Sequence, residues 1–112
     1  MRKIALIYTG GTIGMRQNKQ GKLAPMDFES VAEKIPALKL LPIEIVPVTL
    51  DQPIDSSEMV PAVWQELAKV IDALMDSVDG MVVLHGTDTM AYTACALSFM
   101  FKGLCKPIIM TG

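Results

Sequence analysis

Apolar positions fall in short blocks separated by polar or turn-forming stretches, and the blocks alternate in kind. Ile4-Ala5-Leu6-Ile7 is continuous rather than alternating, which predicts a strand over residues 3–9 buried on both faces and ended by Gly10-Gly11. Residues 16–25 have no apolar period and read as a polar loop or loose hairpin. A short helix is predicted from Asp27 to Ile35, with Asp27 as N-cap, Val31 and Ile35 four apart, and Pro36 as its stop. A second strand covers 43–48, where Pro47 argues for a sheet edge because it has no N–H for the ladder. After the polar turn at 51–59, Val63, Leu67, Val70, Ile71 and Leu74 form one apolar stripe, predicting a helix over 60–77 with Pro61 in its first turn. MVVLH (81–85) is a third strand, residues 89–102 a helix stopped by Gly103, and IIM (108–110) a fourth strand.

Strands alternating with helices predict an α/β fold: a doubly wound, mostly parallel sheet with right-handed crossovers. An edge position for the second strand selects the flavodoxin-like order 2-1-3-4, counted along the chain. Ligands of such sheets bind beyond the carboxyl ends of the strands, here where strands 1 and 3 diverge.

Composition narrows the function classes. The chain has 112 residues, is 51% hydrophobic and carries a formal net charge of −2. There is no basic excess for a phosphate backbone, so nucleic acid is not an expected partner. Its six aromatic residues are not interleaved with Lys or Arg. No apolar run approaches the ~20 residues of a membrane helix, and the four-residue run after Arg2-Lys3 is too short for a secretory leader. A soluble, cytoplasmic protein with no membrane partner is the expectation. Cys95 and Cys105 form no C-x-x-C pair and, with His85 alone, make no zinc set; they read as buried reduced thiols. Met81, Met90, Met100 and Met110 read as core filler.

Two motifs then fall at one predicted place. YTGGTIGM (8–15) leaves the end of strand 1 and HGTDT (85–89) the end of strand 3, so Thr12 and the pair Thr87-Asp88 face one crevice although about 75 residues apart. DSS (55–57), following strand 2, reaches the same rim. Glycines allow close backbone approach, a threonine hydroxyl attacks a carbonyl once a base takes its proton, and turn N–H groups hold an oxyanion. Asp88 suits a cationic amine. The same residues have plainer readings. Thr87 or Asp88 suits the cap of the following helix, and Ser56 and Ser57 are ordinary turn residues. His85 reads as a satisfied strand histidine rather than a base. A phosphate loop is disfavoured by the spacing of Gly10, Gly11 and Gly14 and by the absence of a helical pattern after Met15.

Together these segments resemble bacterial type I, cytoplasmic L-asparaginases: YTGGTIGM and HGTDTMAYTA match the two family signatures, with DSSEM (55–59) and KPIIMTG (106–112) in the corresponding order. The resemblance implies hydrolysis of L-asparagine to aspartate and ammonia without metal or organic cofactor, in a homo-oligomer. It implies Thr12 as nucleophile and Thr87 as the residue positioning water. By the same resemblance Asp88, counted with Thr12 and Thr87 as catalytic, is expected to bind the substrate α-amine, Ser56 and Ser57 to help hold the α-carboxylate, and Asp55 and Thr87 to complete the substrate-binding set. Lys22 stands where the family's mobile loop carries a tyrosine. The family's catalytic lysine lies beyond Gly112, and neither Lys102 nor Lys106 matches it. Residues 1–112 then correspond to an incomplete N-terminal domain, lacking the C-terminal domain, and the chain alone is expected to be inactive. Two rival functions are an amino-acid-binding module without turnover and a nucleotide-binding flavodoxin-like domain. Glutamine hydrolysis, or a part in an amidotransferase, is a related activity. A truncated sheet is also expected to leave apolar side chains of MVVL and IIM uncovered on one face.

Overall fold

The computed structural model describes residues 1–10, 15–17, 23–25, 28–51 and 55–112. Along the chain it has strand β1 (Arg2–Tyr8), the short strands β2 (Met15–Gln17) and β3 (Leu23–Pro25), helix α1 (Phe28–Lys34) and strand β4 (Ile43–Thr49). Helix α2 (Pro61–Leu74), strand β5 (Gly80–Leu84), helix α3 (Met90–Met100) and strand β6 (Ile108–Thr111) follow. Single-turn 3₁₀ segments cover Pro36–Leu40 and Ser56–Glu58. The N-cap expected at Asp27 lies outside the described residues. Pro36 ends the α-helix, as its ring requires, but then serves as the first residue of the 3₁₀ turn, where a missing N–H costs nothing.

The main sheet has the order β4-β1-β5-β6, which is 2-1-3-4 among its own four strands, and each neighbouring pair is parallel. Pro47 sits on the edge strand β4, opposite Leu6. β2 and β3 pair antiparallel as a separate hairpin, from Met15↔Pro25 to Gln17↔Leu23. At the amino end of the sheet, Asp79 clasps Lys3 with two backbone-involving hydrogen bonds of 2.7 Å, fixing the start of β5 beside β1.

The alternation of side chains decides where the core lies. Ala5 and Ile7 of β1 and Met81 and Val83 of β5 point to one face, where they pack with Leu67 and Ile71 of α2 and Leu97 of α3. The remaining stripe residues of α2, Val63, Val70 and Leu74, pack at the edge of this cluster. The opposite face is less covered: Ile4, Leu6 and Val82 are half-buried and Ile109 is 58% exposed. Expectation and structure part on some sulfur-bearing residues. Both thiols are free and exposed, and Met100 is exposed while Met81 is buried. For Cys95 and Met100 the reason is that α3 is apolar nearly all round, so burial there is set by which residues turn inward, Thr93 and Leu97, and not by residue type; Cys105 lies in the connection between α3 and β6.

Candidate functional site

The site is built where the carboxyl ends of the four parallel strands meet. β1 is clamped there from both sides. Leu50, just past β4, donates its N–H to the Tyr8 carbonyl at 3.1 Å. Thr9 donates both its N–H (3.0 Å) and its buried hydroxyl (2.8 Å) to the Leu84 carbonyl at the end of β5. Burial at this junction pushes the Tyr8 phenol above its ordinary value, so the ring is neutral here. Directly after the clamp, Gly10 takes φ 142°, a conformation that strains any residue with a Cβ. The chain therefore turns off the strand end at a point fixed to both neighbours. Thr12, two residues on, lies outside the described residues.

Segments 55–57 and 86–89 are joined directly, and Ser56 is the joint. It is buried at 3% exposure, its hydroxyl oxygen accepts the Asp88 N–H at 3.2 Å, and its carbonyl accepts the Thr89 hydroxyl at 2.7 Å. Gly86 allows this approach: a Cβ there would lie 2.6 Å from Ser56 Oγ and 2.8 Å from Ser56 Cβ. Asp55 shapes its own turn by accepting the N–H and the hydroxyl of Ser57, each at 3.0 Å. Those bonds hold its carboxyl below the ordinary carboxylate range. Asp55, Ser57, Thr87 and Asp88 are exposed.

The residues expected at the rim from strands 2 and 3 are thus brought together: Asp55, Ser56 and Ser57 on one side, Thr87 and Asp88 on the other. The plainer capping reading is not what the fold uses. The N-cap of α3 is Thr89, not Thr87 or Asp88, and its hydroxyl goes to Ser56 instead of to the helix. Met15–Gln17 is a strand, so these residues offer no helix N-terminus to a phosphate.

Three buried or half-buried side chains lie behind the turn. His85 is fully buried, with Nδ1 2.6 Å from the Gly86 carbonyl and Nε2 2.8 Å from Thr93 Oγ1. Trp64 donates its indole N–H to the same Thr93 oxygen at 2.8 Å. Trp64 and Thr93 are not legible as site residues in the sequence; the one available signal is a lone hydroxyl on the inward side of an apolar helix. Lys106 is held far from the rim, donating to the Met75 carbonyl at the end of α2. Among the described residues no group of three His, Cys, Asp or Glu side chains is arranged to hold a metal ion, and no helix is long and apolar enough to cross a membrane.

Comparison with known proteins agrees with this architecture. Residues 3–112 match the family described as asparaginase, N-terminal. L-asparaginase 1 of Escherichia coli K12 is 46% identical across 99% of this chain and 33% of its own length. The 60 kDa lysophospholipase of Mus musculus is 35% identical, across 99% of this chain and 24% of its own. Among solved structures, L-asparaginase I from Vibrio cholerae superposes with a TM-score of 0.80 at 43% identity, covering 99% of this chain and 34% of that one. The thermostable L-asparaginase from Thermococcus kodakarensis gives 0.88 at 30% identity, covering 98% and 33%. The chain spans about a third or less of the length of these relatives. With the family matched over nearly every residue and the sheet order shared with its solved structures, the chain belongs to the asparaginase family, where it corresponds to the N-terminal part.

Proposed function

We propose that this chain carries the nucleophile and the amino-acid-binding rim of an L-asparagine amidohydrolase acting in the cytoplasm. The observation that carries the reading is the Ser56 joint, which unites the loops after β4 and β5 at the carboxyl ends of the strands. A substrate with one ammonium, one carboxylate and one carboxamide matches the groups that converge on this rim. In the proposed pocket, the Asp88 carboxylate takes the ammonium. The Ser56 and Ser57 hydroxyls, with the turn that Asp55 braces, take the α-carboxylate; a hydroxyl that accepts through its oxygen still has a proton to donate. The Thr12 hydroxyl attacks the side-chain carboxamide carbon as a base removes its proton. The C–N bond breaks, ammonia leaves with a proton, and an ester to Thr12 remains. Water placed by Thr87 attacks that ester and releases aspartate, returning the proton to Thr12.

No lysine at 102 or 106 serves as the base. Lys106 is engaged at the opposite end of the sheet, and Lys102 lies beyond α3. The chain spans about a third of the length of its Escherichia coli relative, and the base is assigned to the part of a full-length, homo-oligomeric enzyme outside these 112 residues, so that binding is expected of the chain and turnover of the extended form. Titrating L-aspartate into the chain while following backbone amides tests the binding half. We expect resonances of Ser56, Ser57, Thr87 and Asp88 to move together, and Asp88→Asn to abolish the response. Ammonia release from L-asparagine, compared with L-glutamine, tests turnover in the extended chain, where Thr12→Ala is expected to remove it. A chain that ignores aspartate yet binds a mononucleotide would overturn the reading.

A further inference from the structure

The buried side chains behind the rim form a line whose direction is fixed by chemistry. An indole N–H only donates, so Thr93 Oγ1 accepts from Trp64. A carbonyl only accepts, so of the two imidazole tautomers of His85 only the one with its proton on Nδ1 can bond the Gly86 oxygen. His85 Nε2 is then an acceptor, and the Thr93 hydroxyl donates to it. Trp64 thus donates to Thr93, Thr93 to His85, and His85 to the Gly86 carbonyl. The line draws on α2, α3 and the end of β5, and His85 and Thr93 within it have no exposure to solvent. Sealed in this way, the imidazole has no route to a substrate proton.

We propose that this line positions the Gly86–Asp88 turn for ligand binding. His85 holds the Gly86 carbonyl toward the interior, while Ser56 holds the Asp88 N–H and the Thr89 hydroxyl from the other side. Gripped at both ends, the turn has its peptide orientation set before any ligand arrives, and Thr87 and Asp88 are left facing outward. Preorganisation of this kind lowers the ordering cost of binding. Trp64, Thr93 and His85 are therefore positioning residues. The proposal rests on the amino-acid-binding reading above for its ligand, and on the hydrogen-bond geometry alone for the turn.

The test uses the 112-residue chain labelled with ¹⁵N. Long-range imidazole spectra at neutral pH are expected to show His85 protonated at Nδ1. Thr93→Val removes the acceptor and the donor at nearly constant shape. We expect it to keep the proton on Nδ1, where the Gly86 carbonyl holds it, but to move the Nε2 resonance, shift the Thr87 and Asp88 amides, and weaken L-aspartate about tenfold, the effect of one hydrogen bond of ordinary strength. Thr93→Ser restores the hydroxyl and is expected to restore the Nε2 resonance, the amides and the affinity. Should Thr93→Val not fold, Trp64→Phe withdraws only the first donor and is expected to move the same amides in the same direction by less. A wild-type ring protonated at Nε2 overturns the proposal. Unmoved Thr87 and Asp88 amides with unchanged affinity in a folded variant overturn it as well. The expected tautomer in the wild-type chain and the expected amide shifts in Thr93→Val, with no aspartate bound by the wild-type chain, uphold the grip on the turn and sink the amidohydrolase reading instead.

Discussion

Ser56 makes its contacts with residues 32 and 33 positions away in the chain, so its weight is invisible in the DSS triplet itself. Replacing it with alanine leaves the Asp88 N–H without its acceptor in a part-buried place. We expect Ser56→Ala to cost about 1–3 kcal/mol, read as a lowered thermal midpoint, together with faster hydrogen exchange at Asp88. Gly86→Ala attacks the same joint by crowding, since its Cβ would overlap Ser56. Asp55 makes a pH prediction. Its carboxyl is held below the ordinary range by the two bonds from Ser57. The stabilisation of the turn is therefore fully present above the usual carboxylate pKa and is lost as pH falls through the lower folded value. An acid titration of the Ser57 amide is expected to show a transition below the normal aspartate range that Asp55→Asn eliminates. At this scale the sequence reveals which residues bear hydroxyls and carboxylates near strand ends. It does not reveal that His85 would be sealed by Trp64 and Thr93, because that pairing is made across a helix–helix interface.

Among the elements, α2 is the most legible and α3 the least. The stripe of α2 predicts its inward face, and Leu67 and Ile71 at its centre are buried against the sheet. The helix ends with the stripe at Leu74 and not at residue 77 as expected, because residues 75–77 tighten into turns that lead to β5. Ile71→Ala is expected to destabilise by about 2–5 kcal/mol through lost burial and an unfilled cavity, measurable by urea denaturation. In α3, apolar residues occupy every side, so no period marks the face that packs. Thr93 and Leu97 turn inward, while Tyr92, Cys95 and Phe99 turn out. Cys95 is therefore expected to react stoichiometrically with a thiol reagent in the native state, as is Cys105, exposed in the connection between α3 and β6. Protection of Cys95 until the chain unfolds would contradict this packing of α3.

For the molecule as a whole, one face of the sheet is closed by α2 and α3 and the other is open around Ile109. Each isoleucine or valine left uncovered forgoes about 1.5–3 kcal/mol of burial, a large share of what holds a domain together. The 112-residue chain by itself is expected to self-associate through this face, and Ile109→Lys to shift it toward monomer in sedimentation velocity. A wild-type chain that stays monomeric with a high, cooperative melting transition would count against that. The α/β class, the 2-1-3-4 order and the edge placement of Pro47 are determined by the sequence, because hydrophobic period and proline chemistry act locally and leave few topologies open. The place of HGTDT at the carboxyl end of strand 3 is equally readable, since the apolar run of the strand stops there; Thr12, after strand 1, lies outside the described residues. What only the tertiary structure decided is the set of contacts made across elements: the Ser56 joint, the tautomer of His85, the outward thiols. Those depend on angles and distances between separately formed elements, which no local pattern in the chain encodes.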